Sequence, residues 1–207
     1  MQILSHRGLW HSAAEKNTLV AMRRSFELGF GTETDIRDCG GRLVIAHDMP
    51  GGAEPALTEV LDLLRATGCS GQLALNIKAD GLQAALAEVM AAYVDIDYFV
   101  FDMSMPETLA YARKALPFYL RASEYERDPA PLAGARGVWL DGFHGCWYDD
   151  DKLAAMLDQG EVCVVSAELH GRPHLPHWQQ LRAMGLSGHA RLALCTDLPV
   201  QAKEFFQ

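Results

Sequence analysis

Two imidazoles and two carboxylates near the start of the chain carry most of its chemical promise. His6 lies in Ser5-His6-Arg7-Gly8, His47 in Ala46-His47-Asp48, and Glu33-Thr34-Asp35 falls between them. Each motif sits where an apolar, strand-like run gives way to polar residues. A pair of histidines can divide the roles of general base and general acid, since imidazole titrates near neutral pH. Carboxylates two apart on a strand share one face and can clamp a hard cation. Arg7 and Lys78 add fixed positive charge suited to phosphoryl oxygens. This set fits metal-assisted cleavage of a phosphodiester, with His6 and His47 moving protons and Mg²⁺ or Ca²⁺ acting as Lewis acid. Taken singly, His-Arg-Gly suits a surface turn, Glu-x-Asp a solvated strand and His-Asp a capped turn. Their joint occurrence at strand tails is what reads as one site.

The elements that must position them follow from hydrophobic patterning. Apolar runs of strand length are Ile3-Leu4, Glu33 to Ile36, Leu43 to Ala46, Leu73 to Ile77, Tyr98 to Phe101, Phe118 to Leu120, Val138 to Leu140, Val162 to Val165 and Leu192 to Cys195. Several are apolar throughout, as parallel strands covered on both faces require. Helical patterns lie between them. One carries Leu19, Met22 and Phe26, with Asn17 or Thr18 as cap and Gly29 as stop; the clearest carries Leu82, Leu86, Met90 and Tyr93, with Asp80 as cap. Others run from about Thr58 to Arg65, Pro106 to Ala115, Asp150 to Leu157 and Pro176 to Met184. Glu124 to Ala135, with Pro129 and Pro131, reads as a loop.

Alternating strands and helices predict an α/β fold with a parallel sheet, and about eight repeats favour a compact (β/α)8 barrel, the TIM barrel, over residues 1–207 as one domain. Gly40-Gly41 marks a tight hairpin, so either one strand is surplus to the eight or the first barrel strands are irregular. His6, Asp35, His47, Lys78, Asp102, Arg121, Asp141, Glu168 and Asp197 all fall at or just past strand tails. In a barrel those tails open onto one rim. Arg121, Glu168 and Trp10 are therefore expected to contact substrate beside Arg7 and Lys78. Trp139 is expected in the core, and His144, His174, His177 and His189 at the surface.

Of 207 residues 49% are hydrophobic, enough for one substantial core, and the formal charge is −9. An acidic balance argues against nucleic-acid binding and against adhesion to an anionic membrane. No apolar run approaches the ~20 residues of a membrane helix. Met1-Gln2-Ile3-Leu4 enters the first motif without a basic-then-apolar leader, and the five cysteines include no Cys-x-x-Cys pair. A reduced cytoplasm is the expected location, and a small phosphodiester the expected partner. The patterning gives no oligomeric state.

The chain resembles the glycerophosphodiester phosphodiesterase family, within the wider group of phospholipase-C-like barrel phosphodiesterases. The resemblance rests on His6-Arg7-Gly8, Glu15-Lys16-Asn17-Thr18, Glu33-Thr34-Asp35, the Gly41 to Asp48 run ending in His-Asp, and Thr196-Asp197-Leu198-Pro199. It is dense over the first fifty residues and sparse afterwards. It implies a (β/α)8 barrel, a divalent cation held by Glu33, Asp35 and Asn76, acid/base roles for His6 and His47, and phosphate contacts from Arg7 and Lys78. Two departures stand out. The third-strand motif, usually acidic-x-Lys, is here Asn76-Ile77-Lys78, so the third ligand brings no charge. The insertion usual after His-Asp shrinks to a few residues around Met49-Pro50-Gly51-Gly52. A barrel that binds phosphate without turnover, and one using Lys78 on a carbonyl substrate, are the competing readings.

Overall fold

Eight parallel strands close into a cylinder in the computed structural model, which describes residues 1–207. The strands are β1 (Gln2–His6), β2 (Gly31–Cys39), β3 (Arg42–Ile45), β4 (Leu73–Ile77), β5 (Tyr98–Phe101), β6 (Phe118–Ala122), β7 (Ala135–Leu140), β8 (Glu161–Val165) and β9 (Leu192–Thr196). Parallel pairing of β1 with both β2 and β9 shuts the barrel. β3 is the surplus strand. It runs antiparallel to the far end of β2, joined across Gly40-Gly41, both at positive φ as a two-residue hairpin demands.

Seven helices cover the outside: α1 (Leu19–Glu27), α2 (Leu57–Thr67), α3 (Gln83–Met90), α4 (Met105–Arg113), α5 (Asp150–Gln159), α6 (His174–Ala183) and α7 (Pro199–Phe206). The expected barrel of strands and helices is thus present, with no helix between β6 and β7. There Pro129 and Pro131 lie in the irregular connection the sequence implies. A cavity of about 470 Å³ opens between that connection and α5, lined by none of the expected site residues. Thr18, not Asn17, caps α1, its hydroxyl accepting from the Ala21 amide at 3.3 Å. The N-cap of α3 is Leu82 without a side-chain bond, so Asp80 does not serve: the helix begins three residues past it. None of the helices is long and apolar enough to cross a membrane.

The barrel interior is built by the alternate residues of each strand. Leu4, Phe99, Phe101, Tyr119, Trp139, Cys163 and Cys195 pack there. Two aromatic pairs stack across the middle, Phe99 on Tyr119 with ring centroids 3.5 Å apart and Phe101 on Trp139 at 3.9 Å. Trp139 is a core residue, as expected. His177 is not at the surface. It sits on the inner face of α6, bonded to the Tyr148 hydroxyl at 3.1 Å, and burial pushes its imidazole down to about 4. It shares that buried face with Trp178 and Leu181, so the ring falls on the inner side of the helix the sequence predicts.

Gly8 joins the fold to the site. At φ +88° it turns the chain after β1, and a Cβ there would lie 2.7 Å from the Ala21 carbonyl carbon. Two demands, handedness and close backbone approach, exclude any side chain. Gly8→Ala is expected to destabilise the protein by about 3 kcal/mol, read as a lowered melting temperature. An unchanged melt would mean α1 can shift away freely.

Candidate active site

β1 and β4 end on either side of β2, which runs on to Cys39 to pair with β3, and their inward residues meet at the carboxyl-end rim. His6 pairs in register with Glu33, and Asp35 with Asn76. β9, on the other flank of β1, delivers Asp197 just past its end. His6 Nδ1 lies 2.6 Å from Asp197 Oδ1, while His6 Nε2 lies 3.9 Å from Glu33 Oε2. An ionised carboxylate can only accept, so Nδ1 carries the proton and donates it to Asp197. Nε2 is left as the ring's acceptor, on the side of Glu33. Burial pushes the Asp197 carboxyl up, but the His6 hydrogen bond and charge, helped by Lys16, outweigh it and hold it below the ordinary range.

Asp35 is fully buried and gathers the basic groups. Arg7 Nε lies 2.9 Å from Oδ2, Lys78 Nζ 3.4 Å from Oδ1, and Asn17 Nδ2 donates to Oδ2 at 2.8 Å. Asn17 is itself oriented by the Thr34 hydroxyl, which donates to its Oδ1 at 2.8 Å. Lys78 reaches on to Asp102 at 3.7 Å, and Arg121 bridges Asp102 to Glu126 at 3.1 and 3.0 Å. Three of the four non-glycine residues at positive φ, Arg7, Asn17 and Asp102, belong to this network. Such strain persists where surrounding contacts over-determine the backbone, and it gathers at functional sites.

Three buried oxygens in this group accept no well-formed hydrogen bond: Glu33 Oε2, Asn76 Oδ1, and Asp35 Oδ1, which has only the Lys78 ion pair at 3.4 Å. Orphaned buried acceptors are costly, and carboxylate and amide oxygens are the donors that Mg²⁺ and Ca²⁺ prefer. These residues fit a hard cation. No three His, Cys, Asp or Glu side chains come together in metal-binding geometry. The third oxygen here belongs to an amide. Burial, reinforced by the nearby Asp35 charge, pushes the Glu33 carboxyl up to about 7 against the pull of His6, Arg7 and Lys78. A cation is the natural counterweight to two acids buried this close.

Other expected residues fall in different places. His47 follows β3 at the rim, one residue beyond the Ala46 amide that donates to the Asp35 carbonyl at 3.0 Å. Its side chain is 46% exposed and bonds only the neighbouring Asp48, at 2.9 Å; no hydrogen bond or ion pair joins it to His6, Glu33 or Asp35. Trp10 lies beside the site, donating to the His6 carbonyl at 3.1 Å with Lys16 over its ring. Glu168 is not free to meet a substrate. Its two oxygens accept from the Ser166 and Thr196 hydroxyls and from the Asp197 amide at 3.1 Å. It braces the segment that carries Asp197. Arg121 is engaged by two acids and half exposed, at the edge of the network rather than its centre. Asn17, read from sequence only as a cap candidate, and Asp197, read only as a strand-tail residue, are the ones given no catalytic or binding role there. Both lie within motifs that carry the family resemblance, and that is the signal that singles them out.

No protein-family model matches the chain, and no curated protein sequence matches it. Solved structures do. A glycerophosphodiester phosphodiesterase from Agrobacterium tumefaciens superposes with a TM-score of 0.72 at 16% identity, over 98% of this chain and 99% of the other. A phosphodiesterase from Oleispira antarctica, solved with the product sn-glycerol-3-phosphate, gives 0.70 at 18%, over 99% and 96%. A Ca²⁺-dependent phosphatidylinositol-specific phospholipase C from Streptomyces antibioticus gives 0.54 at 11%, over 100% and 96%. The chain has the barrel fold of these enzymes.

Proposed function

We propose that this chain is a divalent-cation-dependent phosphodiesterase of the glycerophosphodiester phosphodiesterase type, acting on a small phosphodiester. The observation that carries the reading is the set of orphaned oxygens on Glu33, Asp35 and Asn76 beside an imidazole whose far nitrogen is fixed by Asp197. The shared fold with phosphodiesterases supports it.

In this reading Glu33, Asp35 and Asn76 hold Mg²⁺ or Ca²⁺, which when bound polarises a non-bridging phosphoryl oxygen. Arg7 and Lys78, already drawn to Asp35, direct their remaining N–H groups at the same oxygens. His6 Nε2 takes the proton from the attacking oxygen, either water or a neighbouring substrate hydroxyl, as the new P–O bond forms. Asp197 stabilises the imidazolium that results. His47 gives a proton to the departing alkoxide as the ester P–O bond breaks; its exposed position at the rim suits a group that re-equilibrates with solvent. The unpaired cysteines agree with a reducing compartment such as the cytoplasm.

The test is hydrolysis of bis-(p-nitrophenyl) phosphate by the purified protein. Turnover that EDTA abolishes and Mg²⁺ or Ca²⁺ restores supports the reading; turnover indifferent to EDTA refutes the cation. Asn76 gives an independent check. Asn76→Asp adds a third charge to the ligand set and is expected to tighten cation binding about tenfold or more, measured by calorimetric titration. An unchanged affinity would remove Asn76 from the site.

A further inference from the structure

Every step from one parallel strand to the next carries a helix except that from β6 to β7. The outward residues Leu120 and Val138 are left facing an irregular connection, and the cavity of about 470 Å³ lies there, against α5. It falls at the seam between two apolar layers: Leu120, Leu132 and Ala135 belong to one, Val138 and Met156 to the other. Pro129 and Pro131 form its outer wall, and their fixed φ limits how far that wall can fold inward. Gly137 and Gly160 keep the floor free of side chains, since a Cβ would press on the Glu161 carbonyl oxygen at the first and on the Arg136 carbonyl oxygen at the second.

The mouth of this cavity is basic, although the chain as a whole carries −9. Asp128 is the one acid in the lining, and it accepts from Lys152 Nζ at 2.8 Å. Arg127 has no carboxylate partner; its Nε donates to the Glu124 carbonyl at 3.4 Å. One positive charge is therefore left over beside an apolar wall. The lining holds no aromatic ring and, besides the charged groups, only Gln159 as a polar side chain.

We infer that this cavity binds a medium-chain carboxylate, with its acidic head at Arg127 and its alkyl chain along Leu120, Leu132, Val138 and Met156. The inference stands apart from the phosphodiesterase reading, because His6, Glu33, Asp35, Asn76 and Lys78 all lie outside the cavity. Its volume is in the range of ligand sites, about 300–1,000 Å³. The guanidinium can pair with both oxygens of one carboxylate, and no acid of the protein competes for it. A dianion is disfavoured, because Lys152 is committed to Asp128. A base or a polyol is disfavoured too, since the walls offer no ring to stack on and few hydrogen-bond partners.

The experiment titrates decanoate, octanoate and decanol into the whole chain by calorimetry. Decanoate is expected to bind saturably, one to one, and about tenfold tighter than octanoate, which buries two fewer methylenes. It is also expected to bind about tenfold tighter than decanol, which has the chain without the charge. Arg127→Gln should erase the preference for decanoate over decanol. Ala155→Phe, at an exposed position on α5 that lines the cavity, should abolish binding of both. Arg127 is exposed as well, so its variant reports on contact even where the larger side chain at 155 weakens the fold. No saturable binding of decanoate up to about 1 mM, equal affinity for decanoate and decanol, or binding indifferent to both substitutions would overturn the site. A wild type that sediments as a dimer, with Ala155→Phe as a monomer, would assign this face to a second copy of the chain and overturn it as well.

Discussion

His6→Ala is expected to lower kcat/KM for a phosphodiester by about 10³-fold while leaving the fold intact. The ring is a rim residue, part-exposed at 15%, and its removal opens no cavity in the core. What it removes is the only imidazole nitrogen directed at the orphaned oxygens. The companion variant separates catalysis from positioning. Asp197→Asn keeps the size of the side chain but presents an amide that can also offer an N–H to Nδ1, which frees the ring to rotate or to carry its proton on Nε2. Its expected cost is about 10–100-fold, the usual scale for a residue that orients another. The pH profile should change as well, because the neutral amide no longer stabilises the imidazolium. Full activity in His6→Ala, at any pH, would remove general-base chemistry from this site.

Glu33→Gln is expected to have opposite effects on stability and function. In the cation-free protein Glu33 keeps its proton up to about pH 7, while the unfolded chain releases it near the ordinary value of 4.5. The folded form therefore binds more protons between those values, and stability falls as pH rises through that window. Gln, uncharged throughout, escapes this loss. In EDTA the variant should melt above wild type at pH 8, by on the order of 1–3 kcal/mol, and the two should converge near pH 5. Activity should fall to background, since one charged cation ligand is gone. The cation response is the sharper readout. Mg²⁺ or Ca²⁺ should raise the wild-type melting temperature more at pH 8 than at pH 5.5, where protons compete for Glu33, and should leave the variant almost unmoved. Parallel pH curves for the two proteins would mean that Glu33 is not strained by burial.

The strands were legible because parallel barrel strands, covered on both faces, write themselves as continuous apolar runs. Leu73–Ile77 and Tyr98–Phe101 fall where the pattern puts them. The surplus hairpin strand was legible for a different reason: Gly40-Gly41 has one common use between two strands. Helix starts were less clear. Asp80 is a good cap by type, yet α3 starts past it, because propensity is weaker than the packing that seats Leu82 and Leu86. The rim could be anticipated, since chemistry-bearing residues recur at strand tails. Which of them cooperate could not, because that depends on register. His6 with Glu33 and Asp35 with Asn76 meet through pairings between strands far apart in sequence. Glu168 illustrates the limit. By type and place it suits a substrate contact, and only the fold shows both oxygens occupied by Ser166, Thr196 and the Asp197 amide. His170, two residues on in the same strand-tail segment, is brought onto Asp141 by the ends of β7 and β8, a pairing that spacing alone does not show.

Anomalous diffraction from crystals grown with Mn²⁺ tests the shared-cation site most directly. The expected result is one strong peak between β2 and β4, within about 2.0–2.6 Å of oxygens from Glu33, Asp35 and Asn76, with the His6 ring still held by Asp197 at its edge. A peak elsewhere on the rim, or a carboxylate pair left empty at saturating Mn²⁺, would contradict it.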